Sequence, residues 1–282
     1  MKRTITAMAF LAATAFVSTA QKIDPKHTNW YATQTVETPE YRVEIVDVWA
    51  RMDVCKMKLK VYNKTSDYLL FKYGEVELSG GSGQIRPKKS LDLSSNKGVE
   101  TIEPKENENV VFTFDGSGLH QDEFKLMLNG FTKFSAKGTD FDANDFNLPA
   151  NANEFTAGPF SVNLKNVDKE TALTAVRFEV AYKSDDKHVG IIEANKAVCR
   201  TSKGQEYARA NRKDKTVILF DGQNDKFNLY YEIDARASGI DMQFDNMAVI
   251  WKDCFRESEL VPVAPQSVGM KIDLGLTAGK NR

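Results

Sequence analysis

The sequence contains few of the side chains on which common enzyme mechanisms depend. Among 282 residues there are three histidines, His27, His120 and His188. Catalytic triads and most zinc enzymes need a well-placed imidazole. The Gly-x-Ser-x-Gly elbow, the His-Glu-x-x-His helix and the phosphate-binding glycine loop do not occur in the sequence. These absences predict a protein that is not an enzyme.

An excess of charge of either sign is also missing. The chain has 38 Lys and Arg against 39 Asp and Glu, for a net charge of −1. Proteins that bind nucleic acid usually carry a marked basic excess, which neutralises phosphates. The basic cluster at 209–215, RANRKDK, is typical of a solvated turn. The sequence therefore predicts no nucleic-acid partner.

The one long apolar run lies at the N-terminus. Lys2 and Arg3 precede an apolar stretch at 5–17, and the small residues at 17–20 precede Gln21. This layout is typical of a secretory signal peptide that is cleaved after Ala20. The run is shorter than the roughly 20 residues that span a bilayer. We expect export to the periplasm, the cell surface or the medium, and no transmembrane segment in the mature chain.

Cysteine is scarce and its count is odd. Cys55, Cys199 and Cys254 are widely spaced, which matches no zinc pattern. An exported protein can hold a disulfide, but an odd count leaves at least one thiol unpaired or bonded to another chain. Two alternatives remain. Cys199 and Cys254 form a disulfide, or all three thiols are buried and reduced.

What the sequence does contain is alternation of apolar and polar residues. It is clear at 41–48, 57–61 and 178–182, and this period of two is the pattern of a half-buried strand. Long helical periodicity is absent, and turn signals recur at a spacing of about 8 to 12 residues. The sequence predicts an all-β protein that folds as a sandwich or barrel.

The alternating segments recur in the same order. Residues 41–48, YRVEIVDV, align with 160–167, FSVNLKNV, at an offset of 119 (160 minus 41). Without a gap, 59–67 then aligns with 178–186. Two strands and the turn after them thus keep one register. Such self-similarity predicts two repeated modules.

A third match involves a shared string. VVFTFDG at 110–116 is similar to VILFDG at 217–222, at an offset of 106 (221 minus 115). This alignment makes Asp115 and Asp221 equivalent turn residues, each followed by a glycine that can take a positive φ. It also requires extra residues in the first copy, which we expect among the loop residues at 79–109.

These segments define a predicted organisation. It comprises a signal peptide 1–20, an N-terminal segment 21–35, a first β-sandwich module 36–135, a linker 136–155, a second β-sandwich module 156–256 and a C-terminal tail 257–282. The tail alternates from Val268 to Leu274, which predicts an extra strand. It would pair with the second module or with another molecule.

Each copy has an opening strand, an alternating strand that ends in a polar turn, a variable loop, and an apolar strand entered from polar residues such as 103–106, EPKE. This order resembles the immunoglobulin-like domains of unknown function in bacterial exported proteins and lipoproteins. The resemblance implies two tandem immunoglobulin-like β-sandwich modules that bind or space other molecules, and no catalytic residue. The Cys–Trp–Cys core of antibody domains is missing.

One segment of the expected linker is a candidate metal site. Asp140, Asp142 and Asn144 place oxygen ligands at alternate positions, as a wrapped Ca²⁺ loop requires. Asp145 stands where a glycine is expected, and Asn151 where a bidentate Glu would close the shell. An Asx-rich turn is therefore the alternative. The sequence predicts no cofactor unless calcium binds here.

Two further groups of residues invite a functional interpretation. Tyr68 and Tyr73 could stack on a sugar ring, but both faces of the strand between them are apolar, which predicts burial between two layers. His120 could join Asp122 or Glu123 around a metal, or it could lie in an exposed turn.

We therefore expect a non-catalytic exported protein that binds another protein or contributes to an envelope or surface assembly, through a sheet edge or loops. A carbohydrate-binding protein is the first alternative and needs a flat patch of exposed aromatics. A hydrolase with dispersed carboxylates is the second, and it needs a pair of them in one cleft. The expected partner is another envelope or surface protein, or a glycan.

Overall fold

The computed structural model describes residues 27–80, 83–87, 98–149, 152–210, 216–242 and 244–281. The predicted signal peptide lies outside this part of the chain. The described residues are predominantly β, with two short helices, α1 Ala235–Ser238 and α2 Leu274–Lys280. The prediction of an all-β protein is confirmed.

The N-terminal part of the chain contributes eleven strands to the described structure. They are β1 Asn29–Trp30, β2 Gln34–Glu37, β3 Tyr41–Ala50, β4 Val54–Asn63, β5 Tyr68–Lys72, β6 Glu77–Gly80, β7 Gly83–Ile85, β8 Val99–Ile102, β9 Asn107–Asp115, β10 Glu123–Leu128 and β11 Phe131–Phe134.

The remaining strands follow in the C-terminal part. They are β12 Thr139–Phe141, β13 Phe146–Leu148, β14 Glu154–Ala157, β15 Phe160–Lys169, β16 Thr174–Tyr182, β17 His188–Ile192, β18 Val198–Thr201, β19 Glu206–Ala208, β20 Val217–Leu219, β21 Asn224–Tyr231, β22 Met247–Ile250, β23 Phe255–Glu259, β24 Val261–Pro262 and β25 Gln266–Lys271.

A continuous segment, 139–259, forms what we call the second unit. Its three antiparallel sheets have the orders β14-β15-β16-β21, β12-β23-β17-β20 and β13-β22-β18-β19. The last two sheets are joined by chain segments that pass from one sheet directly into the other: β17 leads into β18, and β22 leads into β23. Side chains of all three sheets, among them Phe178, Val249 and Phe255, share one hydrophobic core. The unit is therefore a sandwich-like arrangement of antiparallel sheets.

The first unit, formed by 29–134 and 261–271, repeats this arrangement. Its sheets have the orders β2-β3-β4-β9, with β1 also paired to β3, then β24-β11-β5-β8 and β25-β10-β6-β7. Strands β24 and β25 come after the second unit in the chain. They occupy the places that β12 and β13 hold in the second unit.

The predicted tail and the predicted linker thus both contribute strands to the units. Residues 257–282 contain β25, which pairs with β10 from Glu123 opposite Lys271 to Leu128 opposite Gln266. The expectation that this strand pairs with the second module or another molecule was wrong, because its apolar face, with Met270 fully buried, completes the first core. The segment 136–155 contains β12 and β13 of the second unit.

The register predicted from the offset of 119 is present in the strand pairing. Tyr41 lies opposite Asn63 in the first unit, and Phe160 lies opposite Tyr182 in the second. Both pairs begin the same ladder, so β3 corresponds to β15 and β4 to β16.

The match between the two Phe-Asp-Gly strings was wrong. Phe114 lies near the end of β9, opposite Cys55, whereas Phe220 follows β20. By sheet position β20 corresponds to β8, so Gly222 corresponds to Lys105, and the two have φ values of 74° and 65°. The two sequences are similar because each combines the apolar end of a strand with a turn. Such a short sequence does not indicate which strand will pair with it.

The two units pack against each other through a small apolar cluster. It combines Leu70, Val99 and Phe134 of the first unit with Val189, Ile191 and Phe220 of the second. Leu69 and Phe71, which alternate with Leu70 along β5, point into the first core. The prediction that β5 is buried on both faces holds for its central residues, Leu69, Leu70 and Phe71, whereas Tyr68 and Lys72 are partly exposed. This interface places the edges of the two units beside one another.

Candidate functional site

A cleft of about 660 Å³ opens beside the interface between the units. Strand β8 and the start of β9 line it from the first unit, and β20 and the start of β21 line it from the second. Among the described strands, β8 and β20 are the last of their sheets, so each is an edge strand of the described structure. Equivalent strands of the repeat therefore face one shared space.

The inner part of the cleft is apolar. Val99 and Phe220, which belong to the interface cluster, line it together with Phe227. Ile218 and Tyr68 are partly exposed there, and the ring of Tyr68 stacks on Phe134 with centroids 5.1 Å apart. The cleft thus offers apolar contact area at its base.

The rim of the cleft is acidic. Among the described residues, its lining carries Glu100, Glu103, Glu106, Glu108 and Asp225, with Lys226 as the one basic side chain. Within the described residues, Glu103, Glu106 and Glu108 are exposed and make no ion pair. Because a cleft lined by one sign of charge concentrates ions of the opposite sign, this rim favours cationic groups.

Two carboxylates in the segment of the calcium candidate contact arginines. Asp140 lies in β12 and accepts a hydrogen bond of 2.7 Å from Nε of Arg256. Asp145 pairs with Arg200 at 3.4 Å. Asp142 and Asn144 are exposed, and Asn151 lies outside the described residues. No group of three or more His, Cys, Asp or Glu side chains that could hold a metal ion occurs in the described part of the chain. Asp140 and Asp145 are thus partners of arginine side chains.

All three cysteines are free and buried. Cys55 belongs to the first core, and Cys199 and Cys254 to the second, where the disulfide considered between them is not formed. Burial raises the pKa of each thiol to about 12. Since the thiolate is the reactive form, these cysteines behave as small apolar side chains.

The two tyrosines considered for sugar stacking do not share an exposed surface. Tyr73 is buried in the first core at 7% exposure, and its hydroxyl accepts a hydrogen bond from the backbone N–H of Gly98 at 3.1 Å. Tyr68 lines the cleft. The structure therefore separates this pair.

The three histidines fall into two groups. Nδ1 of His188 lies 2.7 Å from Asp185, and this contact raises the pKa of His188. His120 lies against His27 with ring centroids 5.2 Å apart, although 92 other residues separate them in the sequence. Burial, and then the neighbouring His27, lower the pKa of His120. Sequence reasoning missed this pair, because nothing in the local pattern links the two segments.

Comparison of the chain with protein-family models and with curated proteins finds no match. In the described residues, no helix has the length and apolar character needed to cross a membrane. The site itself therefore carries the functional inference.

Proposed function

We propose that the protein is an exported, non-catalytic binding protein whose cleft receives an extended basic segment of another envelope or surface protein. The cleft between β8 and β20, with an apolar base and an acidic rim, is the observation that carries this proposal. An extended segment can add main-chain hydrogen bonds to a strand edge, while its alternate side chains enter pockets.

The charge of the rim supports a basic partner. The described residues of the cleft lining include five carboxylates and one lysine, and Lys226 lies 3.9 Å from Glu179 outside the cleft. Complementary charge speeds association and selects partners more than it adds affinity. We expect binding to weaken as salt is raised, because exposed charges are screened.

A labelled ten-residue peptide of alternating lysine and valine tests this proposal. The wild-type protein should bind it, and the triple variant Glu103→Lys, Glu106→Lys and Glu108→Lys should not. A matched variant, Glu154→Lys, Glu170→Lys and Glu232→Lys, changes the same charge at exposed positions of the second unit and should bind like the wild type. Equal binding by both variants would reject the cleft as the site.

The natural partner requires a second experiment. Crosslinking of the exported protein in its native envelope, followed by pull-down, should recover a stoichiometric protein with a basic extended segment. The charge-reversed cleft variant should lose it, and the matched variant should retain it. Recovery of glycan alone would favour the carbohydrate-binding alternative.

A hydrolase is the second candidate, and the same cleft favours it, since several carboxylates line one space. Acid–base catalysis by a carboxylate pair would make turnover depend on a single side chain. Loss of a measured hydrolytic activity in Glu106→Gln or Glu108→Gln, with folding intact, would replace the binding proposal.

The immunoglobulin-like relationship of the two units stays a proposal. An immunoglobulin constant domain has seven strands in sheets of order ABED and CFG. In the second unit, three strands consecutive in the chain, β14, β15 and β16, lie side by side before β21. The binding proposal therefore rests on the strand edges and charges of the cleft.

A further inference from the structure

Two histidines from distant parts of the chain meet at the end of the first unit. The ring planes of His27 and His120 are inclined by 68° in a T-shaped contact. Nε2 of His120 is buried and has no hydrogen-bond partner. Buried polar atoms in folded proteins are nearly always satisfied, so this imidazole nitrogen, beside a second imidazole, is a candidate to bind a ligand.

We propose that His27 and His120 together bind one transition-metal ion of the class that imidazole prefers, with Zn²⁺ and Cu²⁺ as its members of choice. An imidazole nitrogen binds zinc at about 2.0–2.1 Å. Two imidazoles on one ion at a tetrahedral angle then have ring centroids roughly 5 Å apart. The observed separation of 5.2 Å meets this requirement.

The nature of the donors selects the ion. Neutral imidazole suits zinc, copper and nickel, whereas calcium and magnesium take oxygen ligands. The described residues contain no group of three or more metal-binding side chains. Within the described residues, the two imidazoles are therefore the protein ligands of the proposed ion, fewer than the four of a closed structural zinc site.

The contacts around this pair show what a bound ion would join. His27 precedes Thr28, whose N–H donates to Asn281 after α2 at 3.2 Å. His120 precedes Gln121, whose carbonyl accepts from the Tyr31 hydroxyl at 2.6 Å. An ion held by both rings adds a link between the N-terminal segment and the loop after β9. Because it binds the folded state, it raises the melting temperature.

Calorimetric titration of the chelator-treated protein with Zn²⁺ tests the site. The wild type should bind one equivalent, and both His27→Ala and His120→Ala should weaken binding by about tenfold or more. His188→Ala is the matched control, since His188 pairs with Asp185 elsewhere, and its affinity should equal that of the wild type. Zinc should raise the melting temperature of the wild type and the control alone.

Electron paramagnetic resonance of the Cu²⁺ complex provides an independent readout. Coupling to two imidazole nitrogens is expected in the wild type, and coupling to one in either variant. If His120→Ala fails to fold by circular dichroism, His27→Ala decides alone, because its side chain lies in the terminal segment. Unchanged affinity in His27→Ala, coupling to a single imidazole in the wild type, or no binding at millimolar Zn²⁺ would each overturn the proposal.

Discussion

The two units share one order of strands but draw on the chain differently. The second unit takes all its strands from one continuous segment, whereas the first takes β24 and β25 from beyond the second unit. Both units have the same strand order, and they differ in which strand comes first in the chain. The first core is therefore completed by residues that lie more than a hundred positions from the strands they cover, and its stability depends on the far end of the chain.

Removal of residues 261–282 should produce the largest difference in stability between the two units. The first unit loses the strand that pairs with β10 along its whole length, and Phe124, Leu126 and Leu128 lose their cover. We expect the amides of β10 and β11 to lose protection from hydrogen exchange, while those of β16 and β21 keep theirs. Removal of 273–282 alone retains β25 and should leave the first unit folded. Equal protection in both truncations would contradict the assigned pairing.

Substitutions at equivalent core positions test whether β25 packs as firmly in the first unit as β13 does in the second. Met270 in β25 lies opposite Phe124, and Leu148 in β13 lies opposite Met247, and both side chains are fully buried. Met270→Ala and Leu148→Ala should each cost about 2–5 kcal/mol in the free energy of unfolding, measured by urea denaturation. Hydrogen exchange should place the first loss in the first unit and the second loss in the second. A negligible cost for Met270→Ala alone would show that β25 packs loosely.

A smaller difference lies at the position where the ladders of β3 and β15 begin. Asn63 is fully buried, and its amide donates to the carbonyls of Asp67, Ile102 and Glu103 at 2.7, 3.2 and 3.1 Å. Asn63→Ala should therefore cost about 1–3 kcal/mol, because it leaves buried acceptors without a donor.

The hydroxyl of the equivalent residue Tyr182 donates a hydrogen bond to Glu257 at 2.7 Å. Burial raises its pKa, so the hydroxyl stays protonated and keeps donating. Tyr182→Phe should cost about 1 kcal/mol, less than Asn63→Ala. Thermal unfolding of both variants checks which substitution costs more stability. A larger cost for Tyr182→Phe would mean that the carbonyls to which Asn63 donates find other donors.

The smallest expected effect is a pH dependence confined to the second unit. The contact with Asp185 raises the pKa of His188, so the protonated ring stabilises the fold below the unfolded pKa of about 6.5, and this contribution is lost as the pH rises through the folded pKa. Nuclear magnetic resonance titration should show a raised His188 pKa in the wild type that returns toward the ordinary value in Asp185→Asn.

Local patterns predicted strands well and their partners poorly. Alternation around Tyr41 and Phe160 specified which residues face the core, because a strand shows its two faces in its own sequence. The partner of β25 was not specified, since any half-buried strand matches any apolar edge. The match between the Phe-Asp-Gly sequences was wrong for the same reason. They indicate a strand end and a turn, but they do not specify the neighbouring strand.

The candidate sites could not be predicted because they depend on packing between distant segments. Glu103 and Asp225 reach one cleft only when the two units meet at the interface cluster. His27 and His120 meet because the N-terminal segment lies against the loop after β9. Scarcity of histidine was visible in the sequence, but proximity was not.

The placement of β24 and β25 reverses the usual order in which repeated units are completed during synthesis of the chain. Synthesis starts with the first unit, yet the second unit has its last strand when Glu259 is made, whereas the first still waits for Lys271. Domains generally fold as they emerge, the N-terminal one first. Here the unit that is begun first is finished last, and a chain halted before its final residues would present an open β10 edge to any protease or chaperone nearby.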